Sequence, residues 1–207
     1  MTIVQQYLAD LEDSVYVSPE KQSVFKYTPS QLDELYTTFP DLNTAIRIKE
    51  EKFILMPTPN VAMNLHDVMD RFPSYFKASE CQWCKSLYQR AFIDEFILPG
   101  KWLAIRRTVY KPFINSTWPA QLEVLPDGMY VPRAVELAYT MAMYAKVYER
   151  HLFGSWMNRT STVTADHKNV SIGLFKFGCG MSIHAEEKLK KKTTLLLALG
   201  LRLQPLT

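Results

Sequence analysis

The chain has 207 residues, of which 47% are apolar, 13% aromatic and 22% charged, and its 24 Lys and Arg exceed 21 Asp and Glu by a net +3. That composition excludes disordered, collagenous and low-complexity classes, and the charge is too small for a dedicated duplex-DNA binder. No apolar run approaches the ~20 residues of a membrane span. A chain of this length buries roughly 70% of its unfolded surface, enough for one domain over 1–207 that needs no disulfide or metal.

Thr2 and Gln5 fit a capping box ahead of Ile3, Tyr7, Leu8 and Leu11, which predicts a short amphipathic opening helix. Its early acids and lack of a long apolar core are unlike a secretory signal, and the expected setting is cytoplasmic or virion-associated. Thr28-Pro29-Ser30-Gln31 is a stronger start signal, with Leu32, Leu35 and Tyr36 as the buried stripe and Pro40 barring continuation. Residues 45–56 read as a hairpin: Ile46 and Ile48 alternate with charges, 49–52 reverse the chain and Phe53 to Met56 return. Asn60 is placed to cap a helix carrying Val61, Leu65, Val68 and Met69. A further helix is expected from Ser79, with Cys84, Leu87, Tyr88, Ala91 and Phe92 inward and a stop at Pro99-Gly100.

Lys101 to Tyr110 is a strand candidate. The segment 111–128 holds too many breakers for regular structure and is expected to lie over the core, pinned by Phe113 and Trp118. Pro132 then opens the longest periodic stretch, which predicts a central helix near 132–153, striped by Ala134, Ala138, Met141, Ala145, Tyr148 and Leu152 and stopped by Gly154. Beyond it the period changes to that of strands: 161–164, 170–177, 181–184 and 195–203 predict an antiparallel meander. Helices gather in 1–153 and strands in 154–207, so the expected class is α+β: a helical first two thirds with a small hairpin, then the meander.

Chemistry-bearing patterns are few. Cys81 and Cys84 open the predicted helix from Ser79, where the dipole favours a thiolate, but no buried strand precedes them as redox catalysis requires. With Cys179 and His184, or with His167 in place of His184, they supply a Cys3His set for zinc, the one cofactor the sequence suggests. The plainer reading packs Cys84 in the core and leaves no cofactor at all. An odd total of three cysteines speaks against a disulfide scaffold.

Gly173, Gly178 and Gly180 punctuate IGLFKFGCGMSI, a dozen residues weakly similar to the glycine-rich loop of the ferredoxin-like CRISPR-RNA-processing endoribonucleases. One glycine spacing differs, and those proteins begin with a strand where this chain begins with a helical pattern. A hairpin with a bulge accounts for the same residues. Lys188, Lys190, Lys191 and Lys192, taken with Arg106, Arg107, Trp102 and Trp156, could make a cationic and stacking face for nucleic acid, although a lysine-rich turn is usually only solvated.

His151 stands at a helix end, and Asp166-His167 lies among Thr160, Ser161, Thr162 and Thr164 without a nucleophile elbow. Asp67 and Asp70 share a solvated face near His66, while adjacent Asp94 and Glu95 project to different sides of a helix. No convergent acid and base emerge, so the expectation is a non-enzymatic structural or interaction subunit of a larger or homo-oligomeric assembly. Its eleven Tyr, eleven Phe, four Trp and nine Met are types enriched at interfaces, and the alternative use for them is the protein's own core. The second reading is a small nucleic-acid-binding module with a basic C-terminal loop.

Overall fold

The computed structural model describes residues 15–76, 94–108, 110–154, 156–176, 180–186 and 195–203. The opening helix falls outside these residues, as does the helix expected from Ser79 up to residue 93; the remainder of that helix, toward its stop at Pro99-Gly100, does not form, because 94–98 hold a turn and an isolated antiparallel bridge from Ile97 to Met63. The first described helix, α1 (Pro29–Thr37), starts as its sequence dictates. The Thr28 hydroxyl accepts from the Gln31 amide at 3.3 Å, and the Gln31 side chain accepts from the Thr28 amide at 2.9 Å. Leu35 is fully buried beneath it.

The expected hairpin at 45–56 does not form. Its first arm is helix α2 (Leu42–Glu50), capped by Asp41, which accepts from the Thr44 amide at 2.7 Å. Ala45 and Ile48 are the buried pair, a spacing of three that belongs to a helix. Lys52, at φ 60°, turns the chain into β1 (Phe53–Pro57). That strand pairs antiparallel with β2 (Trp102–Arg106), the strand expected after Pro99-Gly100. Asn64, rather than Asn60, caps α3 (Leu65–Arg71) in a box with Asp67, and Asn60 donates instead to the Lys26 carbonyl at 2.9 Å.

The breaker-rich stretch is more regular than expected, with a 3-10 turn at Lys111–Phe113 and helix α4 (Trp118–Glu123). Phe113 does pin it, fully buried in the core, and Trp118 packs against the same cluster. After β3 (Met129–Tyr130), helix α5 (Ala134–Tyr148) is buried at every position from Ala134 to Ala145, as a helix apolar on all sides must be. It is the expected central helix, but it ends short of Phe153: Glu149 takes the left-handed conformation, and Gly154, also at positive φ, falls in the following turn.

The strands form two sheets. In one, β4 (Met157–Val163), β5 (Asn169–Lys176) and β6 (Gly180–Glu186) make the expected meander, and β5 and β6 are a hairpin with a register shift between Gly173 and Lys176. The last segment does not simply extend it. Strand β7 (Leu195–Leu197) lies parallel to β4 at the far edge, and β8 (Gly200–Leu201) passes into the other sheet, between β2 and β3. Gly200 lies against the Tyr130 ring opposite it, where a Cβ would stand 2.4 Å from a ring carbon.

The result is an α+β fold around two apolar clusters. One joins α5 to Ile54, Met56, Val170, Ile172, Met181 and Ile183; the other gathers Leu35, Phe39, Phe53, Trp102, Phe113 and Leu199. Many of the rings that suggested an interface therefore serve the interior, Phe39 and Trp102 meeting edge-to-face at 4.8 Å. No helix among the described residues is long and apolar enough to cross a membrane.

Candidate functional site

Residues 94–98 form a strap without helix or strand, in which Asp94 lies in a turn and Ile97 makes an isolated antiparallel bridge to Met63. Ile97 is 1% exposed and exchanges two backbone hydrogen bonds with Met63, its amide donating at 2.9 Å and its carbonyl accepting at 3.1 Å. Anchoring Ile97 inward forces its neighbours outward, and Phe96 and Leu98 are 41% and 52% exposed. The strap has a second fastening. The Thr162 hydroxyl of β4 donates to the Glu95 carboxylate and accepts from the Ala134 amide, the first of α5, at 2.9 Å. Thr162 thus serves one of the amides that a helix start leaves unpaired, and links it to a carboxylate.

Behind the strap lies a cleft of about 330 Å³ lined by Phe96, Leu98, Lys101, Trp102, Tyr130, Arg133 and Glu136, among others. Lys101, Trp102 and Tyr130 also line a neighbouring cleft of about 290 Å³ that reaches Arg202 and Leu203. Arg133 is committed within its own turn: its guanidinium donates to Glu136 at 2.8 Å, and its amide donates to the same carboxylate at 2.8 Å. Glu95 therefore shares a half-buried setting with a second carboxylate whose arginine is already engaged. Burial holds the Glu95 carboxyl above its ordinary range, with the Glu136 charge acting in the same sense and Thr162 and Arg133 opposing. Burial likewise pushes the Tyr130 phenol up.

The sequence reading separated Glu95 from any partner because it put Asp94 and Glu95 on a helix. Residues 95 and 96 are not helical, and no local pattern announces that Glu95 meets β4 and the start of α5. Arg133 and Glu136 were not singled out in the sequence either, and their three-residue capping spacing is the signal that could have found them.

The expected site residues lie elsewhere. Cys81, Cys84 and Cys179 fall outside the described residues, as do Lys188, Lys190, Lys191 and Lys192. His184 is exposed on β6, and His167 sits at positive φ in the β4–β5 turn. Among the described residues, no three His, Cys, Asp or Glu side chains gather where a metal ion could be held. Arg106 lies over the Tyr110 ring at 5.0 Å, and the Arg107 amide donates to the Lys52 carbonyl at 2.9 Å, so three cationic residues share one end of the β1–β2 pair.

One row across the second sheet has the composition of a catalytic site. Arg159, Ser171 and His184 are directly opposed on β4, β5 and β6, and so project from the same face. The Ser171 hydroxyl is fully enclosed and makes no hydrogen bond, hence none to His184, so among the described residues no base activates it. Comparison of the chain with protein-family models, with curated proteins and with solved structures gave no match.

Proposed function

We propose that the protein is a non-enzymatic structural or interaction subunit that meets another protein surface, its own copy included, through Phe96 and Leu98. The supporting observation is their rigid presentation: Ile97, buried and doubly hydrogen-bonded to Met63, holds two exposed apolar side chains on either side of it. Anchors fixed before binding lose little conformational entropy on contact, which is what makes a residue a hot spot. The cleft behind them gives a partner side chain somewhere to seat. A cytoplasmic or virion-associated setting accords with the odd cysteine count.

Light scattering over a range of concentrations tests self-assembly. The parent chain is expected to associate, and Phe96→Asp with Leu98→Asp to weaken association by roughly thirtyfold or more, the scale of a hot spot worth about 2 kcal/mol. A parent chain that stays monomeric at every concentration removes the homo-oligomeric version. The cationic corner of Lys52, Arg106 and Arg107, with Tyr110 beneath Arg106, favours nucleic-acid contact as the second reading. It requires retention on a polyanion that falls steeply with salt and is lost on substituting both arginines.

A further inference from the structure

We propose that Asn115 is a site of spontaneous covalent modification, converted by the following Ser116 amide through a cyclic imide to aspartate and isoaspartate, and that the isoaspartate form releases buried Arg159 from the Ser116 carbonyl. The reaction needs only water. The deprotonated backbone nitrogen of Ser116 attacks the Asn115 side-chain carbonyl carbon. A new C–N bond closes a five-membered ring, and the side-chain nitrogen leaves as ammonia, carrying the proton that Ser116 gave up. Water then opens the imide at either carbonyl. One opening gives aspartate; the other leaves the main chain running through the former side-chain carbonyl, one methylene longer. Both products carry a new negative charge.

Such a ring closure requires a small following residue, a following amide not held by an acceptor, and water at the side chain. Asn115 meets all three. It is exposed, outside helix and strand, and followed by serine. Its φ of 56° is a left-handed conformation that asparagine tolerates better than most residues. Among the described residues, neither its own amide nor that of Ser116 donates a hydrogen bond. The other five asparagines each fail a condition. Asn43 lies in α2, where the next amide, that of Thr44, donates to Asp41 at 2.7 Å. Asn60 and Asn64 precede the bulky Val61 and Leu65, and their side chains are engaged with the Lys26 carbonyl and the α3 cap. Asn158 and Asn169 are buried in β4 and β5.

The consequence follows from the next peptide unit. The Ser116 carbonyl accepts from the Arg159 guanidinium at 3.0 Å, and Arg159 is fully buried. A methylene inserted immediately before Ser116 displaces that carbonyl and takes an acceptor from a buried cation.

The test incubates the full chain at mildly alkaline pH and follows every asparagine by peptide mapping with electron-based fragmentation, which separates aspartate from isoaspartate. Conversion at Asn115 is expected to outpace that at any other asparagine by about tenfold or more, and to quicken as pH rises. Asn115→Gly suits the left-handed turn and removes the reacting amide, so its urea midpoint should hold constant through the incubation. The isoaspartate fraction of the parent, isolated by ion exchange, should unfold at a lower urea concentration than the fresh chain. Asn115→Asp adds the charge without the methylene and should stay near the fresh midpoint. Conversion spread evenly over the asparagines, or faster at another one, overturns the site. An isoaspartate form as stable as the fresh chain, or an Asn115→Asp chain weakened as much as that form, overturns the release of Arg159.

Discussion

The guanidinium of Arg159 donates to the side-chain oxygen of Gln121 at 2.9 Å, with neither residue exposed to solvent. The same guanidinium nitrogen donates to the Ser116 carbonyl at 3.0 Å, and Gln121 passes the chain onward by donating to the Phe113 carbonyl at 2.8 Å. A charge from β4 thereby fastens the segment 113–121 to the second sheet. Gln121→Leu removes one acceptor of a buried cation and is expected to cost about 1–3 kcal/mol in urea denaturation. Adding Arg159→Met should cost less than the two single effects summed, because the group left wanting a partner is then gone. Strict additivity would show that the two side chains act independently.

The Tyr130 ring over Gly200 gives a second outcome. A methyl at Gly200 would stand 2.4 and 2.5 Å from two ring carbons, so the ring must shift to admit it. Gly200→Ala is expected to destabilise by about 1–3 kcal/mol, the usual scale of overpacking. In the background of Tyr130→Ala the same change should cost little. A double-mutant cycle with no coupling would contradict the contact.

Tyr139, fully buried on α5, has its hydroxyl 2.8 Å from the Pro57 carbonyl and 3.0 Å from the Gln22 side-chain oxygen, which also accepts from Tyr27 at 2.8 Å. Burial pushes the Tyr139 phenol well above its ordinary range, so it is a hydrogen-bond donor at any working pH. Tyr139→Phe preserves the ring and should cost about 0.5–1.5 kcal/mol, the net worth of one hydrogen bond, because the Pro57 carbonyl and the Gln22 oxygen keep their other donors, Gln22 and Tyr27. A thermal melt unchanged from the parent would refute this.

Global stability should carry the Glu95 signature as well. A carboxyl whose titration lies higher in the folded chain than in the unfolded one contributes stability that is complete below the ordinary carboxylate range. That contribution is lost as pH rises through the folded value. Urea midpoints of the parent and Glu95→Gln, compared between pH 4 and pH 8, should therefore diverge as pH rises, the glutamine variant being the more stable at neutral pH. Parallel curves would contradict the raised titration.

Where the sequence was readable, its signal was local. Thr28 and Gln31 are three residues apart and build the box that their spacing promises. The hairpin error at 45–56 was also local: Ile46 and Ile48 satisfy a period of two, but Ala45 and Ile48 satisfy a period of three, and the Asp41 cap decides for the helix. The end of α5 misled for a related reason. Leu152 is buried as the stripe requires, yet Glu149 has already left the helix, so burial continued where the helical period did not. Glu95 was out of reach altogether, because Thr162, which donates to it, lies far along the chain and only the closed fold brings the two near.

Strands β7 and β8 are one continuous stretch, 195–201, whose first half borders β4 and whose second half fills the gap between β2 and β3. The first sheet has an internal gap until that stretch is in place, whereas the second lacks only an edge strand without it. Until then β3 has no neighbour to join it to β2, and nascent chains carry a slot that any stray extended peptide can occupy. Seating that one stretch thus serves both sheets, and a protease cut within 195–201 would unfasten them together.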